Sequence, residues 1–168
     1  MTRIFLIGYM GSGKTAMGRL LAKNLHLDFY DLDAWIEKKY HTTIASIFAE
    51  KGESYFREIE KNCLRETGEF ENVVISTGGG APCFFDNMQF MNNHGTTIYL
   101  KLTPEHLAER LQSTRTGVRP LIAGKSSEEL IDFIRENLSK RAAFYEQAKF
   151  IITGTDEEIT NQINSFQG

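Results

Sequence analysis

The run Gly8-Tyr-Met-Gly-Ser-Gly-Lys14-Thr15 sets three glycines ahead of a lysine and a hydroxyl residue. It matches G-x-x-x-x-G-K-[ST] in full, and each residue type in that pattern has a physical task. Gly8, Gly11 and Gly13 let the backbone turn without Cβ clashes, so that successive N–H groups can point at phosphate oxygens. A helix beginning near Lys14 adds its positive end to the same spot. Lys14 can bridge the β- and γ-phosphates of a nucleoside triphosphate, and the Thr15 hydroxyl can ligate Mg²⁺. The pattern does not choose among kinase, GTPase and ATPase. However, no Asn-Lys-x-Asp guanine-reading motif occurs, and no apolar run ends in the paired Asp-Glu of many water-polarising ATPases. Small size and a basic loop further along favour a small-molecule kinase using ATP.

A second group of residues suits an acceptor. Asp31-Leu-Asp33 follows a short apolar stretch, and in a parallel sheet the carboxyl ends of strands line the ligand crevice. One carboxylate could hold Mg²⁺ through water and the other accept a proton from a substrate hydroxyl. Either could equally cap the helix that follows. Arg57 and Glu60 are three apart on a helical stretch and share a face, so Glu60 could hold the Arg57 guanidinium while it clamps a carboxylate. The blander alternative is a solvated ion pair. Gly78, Gly79 and Gly80 suggest a ligand packed on bare backbone, against an ordinary tight turn. Arg119 lies in residues 113–125, a glycine-, proline- and base-containing segment without clean periodicity that reads as a surface lid. Arg141 and Tyr145 are four apart on one helical stretch, and Arg141 could face the crevice or water. Arg110 and Arg115 are weaker candidates for stacking on adenine, and the four histidines form no constellation.

The elements that must position these groups follow from the alternation of apolar runs with amphipathic stretches, which predicts an α/β fold with a parallel sheet. Strands are expected at residues 4–7, 29–30, 73–75, 97–100 and 150–152. Helical stripes fall between them, with a Thr103-Pro104 start and capping boxes at Ser126/Glu129 and Thr155/Glu158. Ile159, Ile163 and Phe166 should face inward on the last helix.

The 168 residues fit one domain, expected over 1–168, and 41% hydrophobic with 24% charged residues is ordinary for a globular protein. A net charge of −3 argues against non-specific nucleic-acid binding, so an anionic ligand must meet a local cluster of cations. Cys63 and Cys83 form no CxxC pair and read as reduced thiols of a cytoplasmic protein. No apolar run approaches the ~20 residues of a membrane helix, and the opening apolar run reads as a buried strand, not a signal peptide.

The P-loop, the Asp31-x-Asp33 pair, Phe56-Arg57-x-x-Glu60, the glycine triplet, Arg119-Pro-Leu and Arg141-x-x-x-Tyr145 occur in this order. Together they resemble shikimate kinase, over about residues 3–166. The resemblance implies a nucleoside-monophosphate-kinase-like P-loop NTPase fold: a five-stranded parallel sheet in order 2-3-1-4-5 with helices on both faces. It implies transfer of the γ-phosphate of ATP to the 3-hydroxyl of shikimate, on the route to chorismate and aromatic amino acids; the expected partners are these two small molecules, with no nucleic acid or membrane, and a monomer is expected. By residue matching, Gly11, Ser12, Gly13, Lys14, Thr15 and Ala16 would hold ATP phosphates and Arg119 would close over them. Thr15 would ligate Mg²⁺ directly, and Asp31 and Ser76 would do so through water. Asp33 would bind the substrate and act as base, Arg57 and Arg141 would take its carboxylate, and Gly79 and Gly80 would line its ring. The substrate-binding region would span about residues 32–60. Competing readings are a gluconate-kinase-like enzyme and a catalytically silent P-loop binding protein. The paired arginines with Asp33 argue against the first, and the retained Lys14, Thr15, Asp33 and Arg119 against the second.

Overall fold

Ile4, Phe5, Leu6 and Ile7 are fully buried in the central strand β1 (Arg3–Ile7) of the computed structural model, which describes residues 1–113 and 125–167. A strand apolar on both faces needs cover on both, and alternate side chains enter two different cores. Ile4 and Leu6 pack with Leu21, Leu107, Leu130, Ile134, Ile159 and Ile163. Phe5 and Ile7 pack with Leu32, Ile36, Phe56, Leu64, Met91 and Tyr145.

Among the described residues, β2 (Asp28–Asp31), β3 (Val73–Ser76), β4 (Thr96–Lys101) and β5 (Phe150–Thr153) complete one parallel sheet in the order β2-β3-β1-β4-β5. This is the order that the resemblance implies. The first core is covered by α1 (Lys14–Leu25), α6 (Pro104–Ser113), α7 (Ser127–Tyr145) and α8 (Asp156–Ser165). The second is covered by α2 (Leu32–Tyr40), α3 (Ile44–Lys51), α4 (Glu53–Thr67), α5 (Asn87–His94) and the end of α7. The long α7 therefore contributes to both. Parallel strands put the carboxyl ends of β1, β2 and β3 at one edge of the sheet, where the P-loop, Asp33 in the first turn of α2 and the glycine triplet follow them.

The helix ends follow local chemistry with two differences from expectation. The Thr155/Glu158 box is complete, but Ser126 forms only its own half, accepting from Glu129 N at 3.2 Å. α8 ends at Ser165, so Phe166 lies just past it and meets Phe150 edge-on at 5.4 Å. Arg115, Arg119 and all of the expected lid except Ser113 and Lys125 lie outside the described residues.

Candidate active site

The edge of the sheet opens into a cleft of about 690 Å³ lined by Gly11, Gly13, Lys14, Thr15, Ala16, Asp31, Asp33, Ser76, Gly79 and Arg110. Gly11 and Gly13 hold left-handed backbone angles, φ 80° and 94°, that carry the chain round the phosphate cradle. Lys14 Nζ donates to Gly8 O at 2.8 Å and Tyr9 O at 3.0 Å, which fixes the ammonium over the turn. Ser12 is buried beneath the loop; its N–H donates to Tyr9 O at 3.2 Å and its hydroxyl has no hydrogen-bond partner. Thr15 Oγ1 donates to Asp31 Oδ2 at 3.0 Å, while Asp31 Oδ1 accepts from Ala34 N at 3.1 Å. Asp31 thus caps α2 and faces the cradle at once, so the two readings of this residue are compatible. Among the described residues, no three His, Cys, Asp or Glu side chains gather as a metal site. The oxygens of Thr15, Asp31 and Ser76 suit a cation that draws its other ligands from phosphate and water, as Mg²⁺ does.

At the other end of the cleft the charged groups pack directly on the glycine triplet. A Cβ on Gly78 would lie 2.9 Å from Asp33 Oδ1, one on Gly79 3.4 Å from Arg141 Nη1, and one on Gly80 2.7 Å from Arg57 Nη2. The three glycines are the bare surface on which one carboxylate and two guanidinium groups converge. Arg57 Nη1 donates to Glu60 Oε1 at 3.0 Å, and Glu60 is almost fully buried, so the ion pair is not a solvated one. Arg141 turns inward. Its Nη1 is 3.5 Å from Tyr145 Oη, its Cζ is 5.4 Å from the Tyr9 ring centroid, and Tyr145 Oη donates to Gly79 O at 2.5 Å. Arg57, Gly80 and Arg141 do not line the large cleft. Arg57 instead lines an adjoining depression of about 400 Å³ with Phe84 and Phe85.

The electrostatics of this end are set by burial. Burial, with Asp31 nearby, pushes Asp33 up to about 6, and Lys14 and Arg57 act against that rise. Burial pushes Glu60 up to about 7 against the pull of Arg57. A carboxyl poised near neutrality and facing a phosphate cradle can take up a proton from a hydroxyl.

At the end of the cleft away from the triplet, the sequence offers Arg110 for ATP but gives no role to His106 or Asp156. Arg110 Nε donates to Gly11 O at 2.7 Å and Arg110 Nη1 to Asp156 Oδ1 at 3.1 Å. His106 Nε2 meets the same oxygen at 2.8 Å. His106 and Asp156 both line the cleft beside the P-loop helix, yet they are fifty positions apart, and no local pattern pairs them. Phe84, against Arg57, was missed for the same reason.

A family model described as shikimate kinase matches residues 10–166. A shikimate kinase of Bacteroides fragilis is 53% identical over 165 residues, covering 98% of this chain and 92% of that one. The crystal structure of shikimate kinase from Bacteroides thetaiotaomicron superposes with a TM-score of 0.90 at 49% identity, covering 96% of this chain and 94% of that one. The Acinetobacter baumannii shikimate kinase, solved in complex with shikimate, gives a TM-score of 0.82 at 34% identity, over 97% of this chain and 89% of the other.

Proposed function

This chain belongs to the shikimate kinase family, and we propose that its cleft transfers the γ-phosphate of ATP to the 3-hydroxyl of shikimate, giving shikimate 3-phosphate and ADP. The observation that carries the assignment is the convergence of Asp33, Arg57 and Arg141 on the glycine triplet beside a phosphate cradle. Shikimate is a carboxylate with several hydroxyls, and these groups match it in kind.

The P-loop backbone from Gly11 to Ala16 and Lys14 take the phosphates of ATP. The Thr15 hydroxyl and, through water, Asp31 and Ser76 would hold Mg²⁺, which would neutralise charge on the phosphates. Arg57 and Arg141 take the carboxylate of shikimate, and Gly79 and Gly80 let its ring sit against the backbone. Asp33 accepts the proton of the 3-hydroxyl as that oxygen attacks the γ-phosphorus, and the bond to the β-bridging oxygen breaks to release ADP. Lys14 stabilises the charge that grows on the transferring group. Arg119 closes over ATP from residues 113–125, and residues 32–60 form the acceptor half of a single domain over 1–168. The two free thiols suit a reducing compartment, and we assign the enzyme to the cytoplasm.

The test offers the purified chain ATP and Mg²⁺ with shikimate, gluconate or nucleoside monophosphates in separate reactions. ADP release is expected with shikimate. Release with gluconate or a nucleotide and not shikimate overturns the acceptor, and no release with any makes the chain a silent binding protein.

A further inference from the structure

One side of α4 carries Arg57, Lys61 and Arg65 at four-residue spacing, and it faces the segment that follows the glycine triplet. Each cation lies against a ring of that segment. Arg57 Cζ is 4.2 Å from the Phe84 centroid, Lys61 Nζ is 4.6 Å from that of Phe85, and Arg65 Cζ is 4.9 Å from that of Phe90. The segment is anchored independently of these contacts. Arg65 pairs with Asp86 and donates to Asn87 Oδ1 at 3.0 Å, and the buried Asn87 donates to Ala81 O at 2.9 Å. The short stretch bearing Phe84 is therefore tied down on both sides.

Arg57 needs such a support. Glu60 holds its Nη1, but Nε has no hydrogen-bond partner and stands 3.7 Å from the Glu53 carboxylate. A guanidinium bonded at one nitrogen can swing about that bond. The rings of Phe56 and Phe48 are farther off, at 5.3 and 5.9 Å, so Phe84 is the nearest face.

Resting on the reading that Arg57 receives the shikimate carboxylate, we propose that Phe84 is a positioning residue that fixes the plane of the Arg57 guanidinium by cation–π stacking. Bidentate recognition of a carboxylate depends on that plane, because both N–H groups must align at once.

The test compares kcat/KM for shikimate with that for its neutral carboxamide, in the wild type and in Phe84→Leu, Phe84→Met, Phe84→Tyr and Arg57→Ala. In the wild type the ratio favours shikimate, and Arg57→Ala collapses it. Phe84→Leu and Phe84→Met are expected to lower the ratio about tenfold through shikimate KM, the factor that corresponds to ~1.4 kcal/mol, with KM for ATP unchanged. Phe84→Tyr, which keeps the ring face, should hold the ratio within about twofold of wild type. A fall of equal size for both substrates marks Phe84 as packing only and overturns the proposal. So does an unchanged ratio in whichever of the leucine and methionine variants folds. If Arg57→Ala itself leaves the ratio unchanged, the carboxylate is held elsewhere and the underlying reading falls with it.

Discussion

Burial and the neighbouring Asp31 raise Asp33 from 3.8 to about 6, so the residue assigned as base is also one whose charged form the fold disfavours. The sign of the consequence follows from linkage. A carboxyl whose pKa is higher in the folded chain stabilises it fully below the unfolded value, and that contribution is lost as pH rises through about 6. Asp33→Asn should therefore raise stability at pH 8 by about 1–3 kcal/mol, allowing for screening by water in the cleft, and by much less at pH 4. Urea titrations at the two pH values check this, and equal effects at both would contradict the assigned burial. The same substitution should abolish most turnover, and wild-type kcat should fall as pH drops through about 6. A pH-independent kcat between 5 and 8 would remove Asp33 from the proton transfer. The residue types of this site were legible in the sequence because phosphate and carboxylate chemistry restrict them strongly. The raised pKa was not, because it depends on how much of β2, α2 and the triplet closes round the carboxylate.

At the scale of elements, strands and helices were readable from periodicity, since Ile4 to Ile7 must be buried on both faces and α1 begins where the glycines end. The pairing of α4 with the segment after β3 was not. The spacing of Arg57, Lys61 and Arg65 is visible in the chain, but it reads equally well as a solvated face until Phe84, Phe85 and Phe90 are brought opposite. The triplet makes a related point. Gly80 has φ −86°, which any residue adopts, so glycine is needed there for space and not for conformation. A Cβ would meet the Arg57 guanidinium at 2.7–3.0 Å, and a flexible side-chain end can yield. Gly80→Ala should consequently change stability by less than about 1 kcal/mol while displacing Arg57. We expect KM for shikimate to rise about tenfold or more, with KM for ATP unchanged. Steady-state kinetics with each substrate varied in turn checks this, and an equal effect on both would place the damage in the loop as a whole.

Over the whole molecule, one sheet carries two cores, and the site lies along the edge where both meet. The P-loop leads into α1, which packs on the first core, whereas Arg57 extends from α4 on the second. Arg141 comes from α7, which spans both, so each substrate should brace the fold through a different set of helices. A ligand that binds only the folded chain stabilises it by ~2.7 kcal/mol at a hundred times its Kd, or roughly 5–10 °C in a chain of this size. Shikimate and a non-hydrolysable ATP analogue with Mg²⁺ should each raise the melting temperature by that amount at such concentrations. Arg57→Ala or Arg141→Ala should weaken shikimate binding by ~2–5 kcal/mol, because each removes one of the two cations that pair with its carboxylate. At the same shikimate concentration the thermal shift should then fall to about a third or less in both variants, while the nucleotide shift stays at its wild-type value. Scanning calorimetry of the three proteins decides the matter. A shikimate shift that survives both substitutions undiminished places the carboxylate away from Arg57 and Arg141. Loss of the nucleotide shift along with it would mean that the two ends of the cleft are not held by separate helices.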